Sequence, residues 1–242
     1  MLIDIGSEGS ARELYDRLCR KEFDSVSLRK ELKMGKYDAD AVNVAALNYV
    51  DNCDDLFYES IYQSHHQPGE TILGFESSHL AEAIELLLDY GLDPNKIFRE
   101  DDPKEHAEEF NIMQWLQFIY NGYQAADALY LLLSHGGNPN LIVNGEPLVS
   151  DPDFDMCFDS VNREDIPDVI YDAKLHYWMV LVGFGAVFDN GRLPLEPVNG
   201  FDLSLLREHR NYYCGVIHSD RTKEGWDLCI FDKHTNWEVA RL

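Results

Sequence analysis

The sequence predicts a mostly α-helical protein of repeated helix-turn-helix units, an α-solenoid finished by a small C-terminal antiparallel β meander. Three observations carry this. A helix-stop motif occurs three times, apolar residues precede each stop at helical spacing, and from about residue 205 the pattern changes to short alternating strands. The motif reads Glu85-Leu-Leu-Leu-Asp-Tyr-Gly91-Leu-Asp-Pro94-Asn95, then Tyr130-Leu-Leu-Leu-Ser-His-Gly136-Gly-Asn-Pro139-Asn140, then Met179-Val-Leu-Val-Gly-Phe-Gly185-Ala186. The glycines stand 45 and 49 residues apart. A nearly constant period of that length marks stacked supersecondary units, in which each unit buries the apolar face of the next.

In the first copy Leu80, Ala83, Ile84, Leu87 and Leu88 recur as the stripe of a helix with one buried face, with Ser78 as candidate N-cap. Gly91 supplies the left-handed residue that ends the helix, and Pro94 keeps it from resuming. The second copy repeats the design with Ala125, Ala128, Leu129, Leu132 and Leu133, then Gly136 and Pro139. The third is apolar throughout from Tyr177 to Val182, which suits a helix buried between neighbours. After the second and third stops come Asn144-Gly145-Glu-Pro147-Leu148 and Asn190-Gly191-Arg-Leu-Pro194-Leu195. Asn-Gly favours a type I′ turn, because both of its central residues need positive φ. Segments Ile112 to Tyr120 and Val169 to His176 read as the first helices of their units.

Upstream, residues 10–34 and 38–51 have helical spacing and read as a capping unit, which places N-terminal capping helices in 1–60 of a repeat region spanning 1–204. Residues 65–75, with His65 and His66, read as a loop. The meander occupies 205–242, with strands at Tyr212 to His218, Trp226 to Phe231 and Trp237 to Leu242. Trp226, Leu228 and Ile230 alternate with Asp227 and Cys229 as in a half-buried strand.

The order Gly185-Ala186, Asn190-Gly191-Arg, then Pro194-Leu195 resembles the hairpin of an ankyrin repeat. Gly136 to Asn140 followed by Asn144 to Leu148 resembles it too. The helices ending in Leu-Leu-Leu before a glycine are similar to the second helix of that unit. The resemblance covers roughly residues 75 to 195, as expanded repeats, since the family's period is about 33 and its Thr-Pro-Leu-His start is absent here. It implies a protein-binding scaffold without cofactors. In bacteria, ankyrin-like proteins also serve as antidotes to secreted toxins.

The chain carries 44 acids against 20 bases, a formal charge of −24. Such a surface repels nucleic acid and anionic membrane and steers basic partners toward it; plain solubility is the simpler reading of the same charge. Five scattered cysteines with no CxxC pair suggest thiols in a reducing compartment. The N-terminus does not resemble a signal peptide, and the longest apolar stretch, Trp178 to Phe188, is about half of a membrane span. A cytoplasmic location is expected.

Recognisable chemistry is sparse. Asp151-Pro-Asp153-Phe-Asp155 imitates the opening of a calcium loop, but Met156 and Asn162 hold the positions that need glycine and a bidentate glutamate. No metal-binding His or Cys spacing, phosphate loop or nucleophile elbow is present. His135, in the second stop, is placed to bond a terminal carbonyl.

The expected function is therefore a non-enzymatic module that binds a basic protein through an acidic, aromatic-bearing face. The acids are Glu100, Asp101, Asp102, Glu105, Glu108 and Glu109, with Asp151, Asp153 and Asp155 in a second stretch. Trp115, Tyr120 and Tyr123 are the aromatic anchors. Both acidic stretches fall between a stop and the next motif helix, so a regular solenoid would place them on one side. The alternatives are an immunity protein that neutralises a basic toxin such as a nuclease, an enzyme whose site is assembled from scattered residues, and a subunit of a constitutive oligomer.

Overall fold

The computed structural model describes residues 9–20, 23–65, 79–100, 108–117, 122–148, 168–187, 195–218 and 226–241. About half of these are helical, with small antiparallel sheets. They form two compact units, Met1–Asn138 and Pro139–Leu242.

The first unit begins with α1 (Ser10–Leu18), α2 (Ser25–Lys33) and α3 (Ala39–His65). The periodicity over 10–34 thus resolves into two short helices. Asp24 separates them by accepting the Ser27 N–H as the N-cap of α2. Helix α3 runs on through His65, beyond the expected end near residue 51, and the remainder of the expected loop lies outside the described residues. Helix α4 (Leu80–Leu88) follows, then strands β1 (Phe98–Glu100) and β2 (Glu108–Phe110), then α5 (Ile112–Leu116) and α6 (Gly122–Ser134). His79 precedes α4 as its N-cap and makes no side-chain cap bond, while the expected cap Ser78 lies outside the described residues. Leu14, Leu28, Val42, Leu80, Ile84, Met113, Leu116, Leu129 and Leu132 are buried, so each stripe read from the sequence faces inward.

A three-way network ties α1 to α2. Arg17 Nη1 and Lys36 Nζ lie 2.7 and 3.1 Å from the two Glu31 oxygens, and the Tyr37 hydroxyl donates to Oε2 at 2.9 Å. The Lys36 and Tyr37 hydrogen bonds, with help from Arg17, pull the Glu31 carboxyl down to about 2 from 4.5. The unfolded chain therefore binds a proton at Glu31 that the folded chain refuses, so the network's contribution is complete above pH 4.5 and lost as pH falls toward 2. Chemical denaturation from pH 6 to 2.5 should show Glu31→Gln losing less stability over that interval than the parent.

The second unit begins with the hairpin β3 (Ile142–Val143) and β4 (Glu146–Pro147). Asn144 and Gly145, at φ 53° and 81°, form the expected type I′ turn between them, and Leu148 returns to the core. Helix α7 spans Asp168–Gly183 without a break. It corrects the expectation of a first helix over Val169 to His176 separate from the motif helix. The third copy has one helix where the second has α5 and α6. The Asn190-Gly191 turn lies outside the described residues.

Two 3-10 turns, Leu203–Arg207 and His209–Asn211, lead into a four-stranded sheet of order β5-β8-β7-β6. Its strands are β5 (Glu196–Pro197), β6 (Tyr212–His218), β7 (Trp226–Asp232) and β8 (Glu238–Arg241). The expected meander is β6-β7-β8, and β5 is an additional edge strand that the composition of 195–198 does not announce. Met179, Leu206, Tyr212, Ile230 and Ala240 join α7, the first turn and one face of the sheet in a common core. On β7, Asp227 and Cys229 are buried as well. This corrects the half-buried reading of that strand. Arg241 covers the second face, with Nη1 3.3 Å from the Asp227 carboxylate and a two-point contact to Glu238 at 2.6 and 2.7 Å.

All three stops adopt the expected geometry. Gly91, Gly136 and Gly185 lie at φ 106°, 94° and 93°. In each, the following residue donates its N–H to the carbonyl five positions back: Leu92 to Leu87, Gly137 to Leu132 and Ala186 to Leu181. A β-carbon at Gly136 would meet nothing within 4 Å, whereas one at Gly91 would lie 3.3 Å from Ala39 Cβ. Gly136→Ala should cost about 1–2 kcal/mol from conformation alone, and Gly91→Ala more. Equal costs in urea denaturation would show that the close approach to Ala39 is not felt.

Candidate interaction surface

The element that most clearly repeats after the glycine stop is an asparagine side chain that clasps the next stop. In the first unit, Asn43 Nδ2 donates to the Gly91 carbonyl at 3.0 Å, and its Oδ1 accepts the Asp93 N–H at 2.9 Å. Asn95 Nδ2 donates to the Gly136 carbonyl at 2.9 Å, and its Oδ1 accepts the Asn138 N–H at 2.7 Å. In the second unit, Asn140 Nδ2 donates to the Gly185 carbonyl at 3.1 Å, and its Oδ1 accepts the Val187 N–H at 2.8 Å. Each clasp takes the glycine carbonyl and the N–H two residues on. The left-handed glycine turns both groups outward from the helix axis, where only a side chain with donor and acceptor on one carbon can satisfy them together. Asn95 and Asn140 each stand four residues after their own glycine, the one trace of the clasp in the sequence.

Between Asn95 and α5 the chain makes the β1–β2 hairpin, with Phe98 opposite Phe110, Arg99 opposite Glu109 and Glu100 opposite Glu108. Asn111 anchors its base. Fully buried, it donates to the carbonyls of Pro94 and Lys96 at 2.9 Å each and accepts the Met113 N–H at 2.8 Å, so that it caps α5 and closes the hairpin at once. Three of the expected binding acids, Glu100, Glu108 and Glu109, sit on this excursion. Glu108 is exposed on β2. Glu109 is partly buried, with Oε1 2.8 Å from Arg99 Nη2 across the hairpin, which neutralises its charge locally. Glu100 ends β1 in register with Glu108. Asp101, Asp102, Glu105, Tyr120, Asp151, Asp153 and Asp155 lie outside the described residues, and Tyr123 is placed only as part of α6. Trp115 is half-buried on α5, its ring centroid 6.2 Å from that of Phe110 at the hairpin base.

The structure brings Glu108, Glu109 and Trp115 onto one excursion, through β2 and the helix that follows it. His135 bonds as expected, with Nδ1 2.8 Å from the Leu131 carbonyl. Sequence reasoning passed over Asn43, Asn95, Asn111 and Asn140 because each takes at least one backbone partner far along the chain.

Burial pushes the Cys19 and Cys229 thiols up to about 11, the wrong direction for a thiolate at neutral pH. Among the described residues no group of three or more His, Cys, Asp or Glu side chains is placed to hold a metal ion, and no helix is long and apolar enough to cross a membrane. Comparisons with protein-family models, with curated proteins and with solved structures found no match.

Proposed function

We infer that the chain is a protein-binding scaffold of degenerate, expanded ankyrin-like repeats, an α-solenoid that engages a basic protein through acidic excursions between its stops. The observation that carries this reading is the threefold recurrence of the stop together with its asparagine clasp. Each clasp fixes the backbone of its own stop, and a rigid framework from which an excursion such as β1–β2 projects is the property a binding surface needs. The formal charge of −24 supports the sign of the partner. An antidote to a basic toxin is one form of this function, with the same chemistry at the interface.

The test is affinity capture from the source lysate on immobilised protein at about 50 and 500 mM salt, with partners identified by mass spectrometry. Basic proteins held at low salt and released at high salt are expected, because exposed charge pairs are screened beyond about 10 Å at 0.1 M salt. A Glu108→Lys variant should retain several-fold less of them. Capture that ignores both salt and Glu108→Lys would remove the acidic excursion from the interface.

A further inference from the structure

The four-stranded sheet of the second unit has two unlike edges. Strand β5 closes one with two residues, Glu196 and Pro197, and a short strand with a proline discourages further pairing there. Strand β6 forms the other with seven residues, Tyr212–His218, in unbroken register with β7 and with no described strand on its outer side. The usual protections are missing. Residues 211–219 hold no lysine, no proline and no formal charge, and the register shift of this sheet lies between β7 and β8. A long, uncharged edge is a template for a further strand.

The Lys233 N–H donates to the Asn211 carbonyl at 2.9 Å, which sets the alternation of the ladder. Tyr213, Gly215 and Ile217 therefore bond to β7 through their backbones, while Tyr212, Cys214, Val216 and His218 turn their carbonyls outward. The N–H groups of Cys214, Val216 and His218 point the same way, and the Tyr212 N–H goes to the His209 carbonyl. We propose that β6 pairs with β6 of a second copy of this chain, antiparallel about a two-fold axis at Gly215. Gly215 is the midpoint of the strand, so this register overlaps its whole length. It sets Cys214 of each copy opposite Val216 of the other as a bonded pair, and the His218 N–H opposite the Tyr212 carbonyl.

The side chains suit that register. Tyr213, half-buried and stacked on Phe231 with ring centroids 5.1 Å apart, comes to lie opposite Ile217 of the second copy. Ile217 is 36% exposed in the single chain, and an aromatic ring across from a β-branched side chain is a favourable pair. The two-fold axis repeats this pair on either side of Gly215, where the strands come closest. The formal charge of −24 opposes contact between copies in general, yet along β6 no acid meets another. A basic partner would gain nothing from an uncharged edge, whereas a second copy supplies its own complement.

One strand pair is a small interface, so the dimer should be weak, forming between about 10 and about 100 µM. The experiment is sedimentation velocity of the full chain from about 1 to about 100 µM, with amide hydrogen exchange at both ends of that range. A monomer–dimer equilibrium is expected, with the Cys214, Val216 and His218 amides protected only at the higher concentration. Ile217→Lys sets a cation beside Asp227 within the single sheet and opposite Tyr213 of the second copy. His218→Pro removes an N–H that β7 does not use. Each variant should keep the circular dichroism of the parent and raise the dissociation constant about tenfold or more. A dimer that neither variant weakens would overturn the pairing, as would a chain still monomeric at the highest concentration. A monomer whose three amides are already protected would give the edge to another segment of the same chain, and overturn it too. Should either variant not fold, the concentration dependence of exchange in the parent protein decides alone.

Discussion

Replacing Asn111 with leucine should destabilise the first unit by about 3 kcal/mol or more, the largest loss expected from any single polar residue of that unit. Leucine is close to asparagine in size and donates nothing, so it strands the Pro94 carbonyl and the Met113 N–H in a buried site and the Lys96 carbonyl in a partly buried one. Each stranded group costs about 1–3 kcal/mol, and partial relaxation keeps the sum below the full total. Asn111→Asp should be worse still, because a carboxylate turned toward two carbonyls is repelled by both unless it takes up a proton. Urea denaturation followed by far-ultraviolet circular dichroism measures the loss, and β1–β2 amides should lose hydrogen-exchange protection first. An Asn111→Leu protein with parental stability would mean that water reaches those carbonyls and that the hairpin base is open.

Replacing Arg241 with methionine should cost the second unit about 3 kcal/mol. The methionine stem keeps much of the packing over the sheet, so the loss isolates the guanidinium. Without it the Asp227 carboxylate, whose side chain is 4% exposed, loses the cation it pairs with among the described residues, and Glu238 loses its two-point partner. Breaking a buried pair on one side costs about 3–5 kcal/mol, and the partial exposure of Arg241 places this case at the lower end. Adding Asp227→Asn to Arg241→Met should restore part of the loss, since the orphaned charge is then gone. A double variant no more stable than Arg241→Met would assign the effect to Glu238 or to packing, which thermal unfolding of the four proteins in the cycle distinguishes.

What the sequence disclosed was local. Gly91, Gly136 and Gly185 announce themselves because a glycine closing an apolar helical run is the residue that best tolerates the left-handed turn a helix end needs. Asn144-Gly145 announces a tight turn on the same ground of positive φ. Strands β6, β7 and β8 were legible in their aromatic and β-branched composition. Helix α7 was misdivided because it is apolar around its circumference near Tyr177 to Val182, so no stripe marks its continuity with the preceding turns. The burial of Asp227 and Cys229 was hidden because Arg241, which covers them, is on another strand. The candidate surface was legible only as charge. Nothing along the chain signals that strand register matches Glu109 to Arg99, or that Trp115 packs beside the hairpin base.

The asparagine clasp also bears on how such a chain can change length. The Asn95 and Asn140 clasps each join a side chain four residues past one glycine to the backbone at the next, and nothing in them depends on how many residues lie between. Lengthening a surface excursion adds only a slowly rising closure entropy, about 0.6 kcal/mol for each doubling. Insertions between the clasp residue and the next helix are thus nearly neutral to the joint itself. The two intervals between glycines differ, at 45 and 49 residues, while each clasp makes the same two hydrogen bonds. The joint is held constant by its chemistry, and the spans between joints are open to variation.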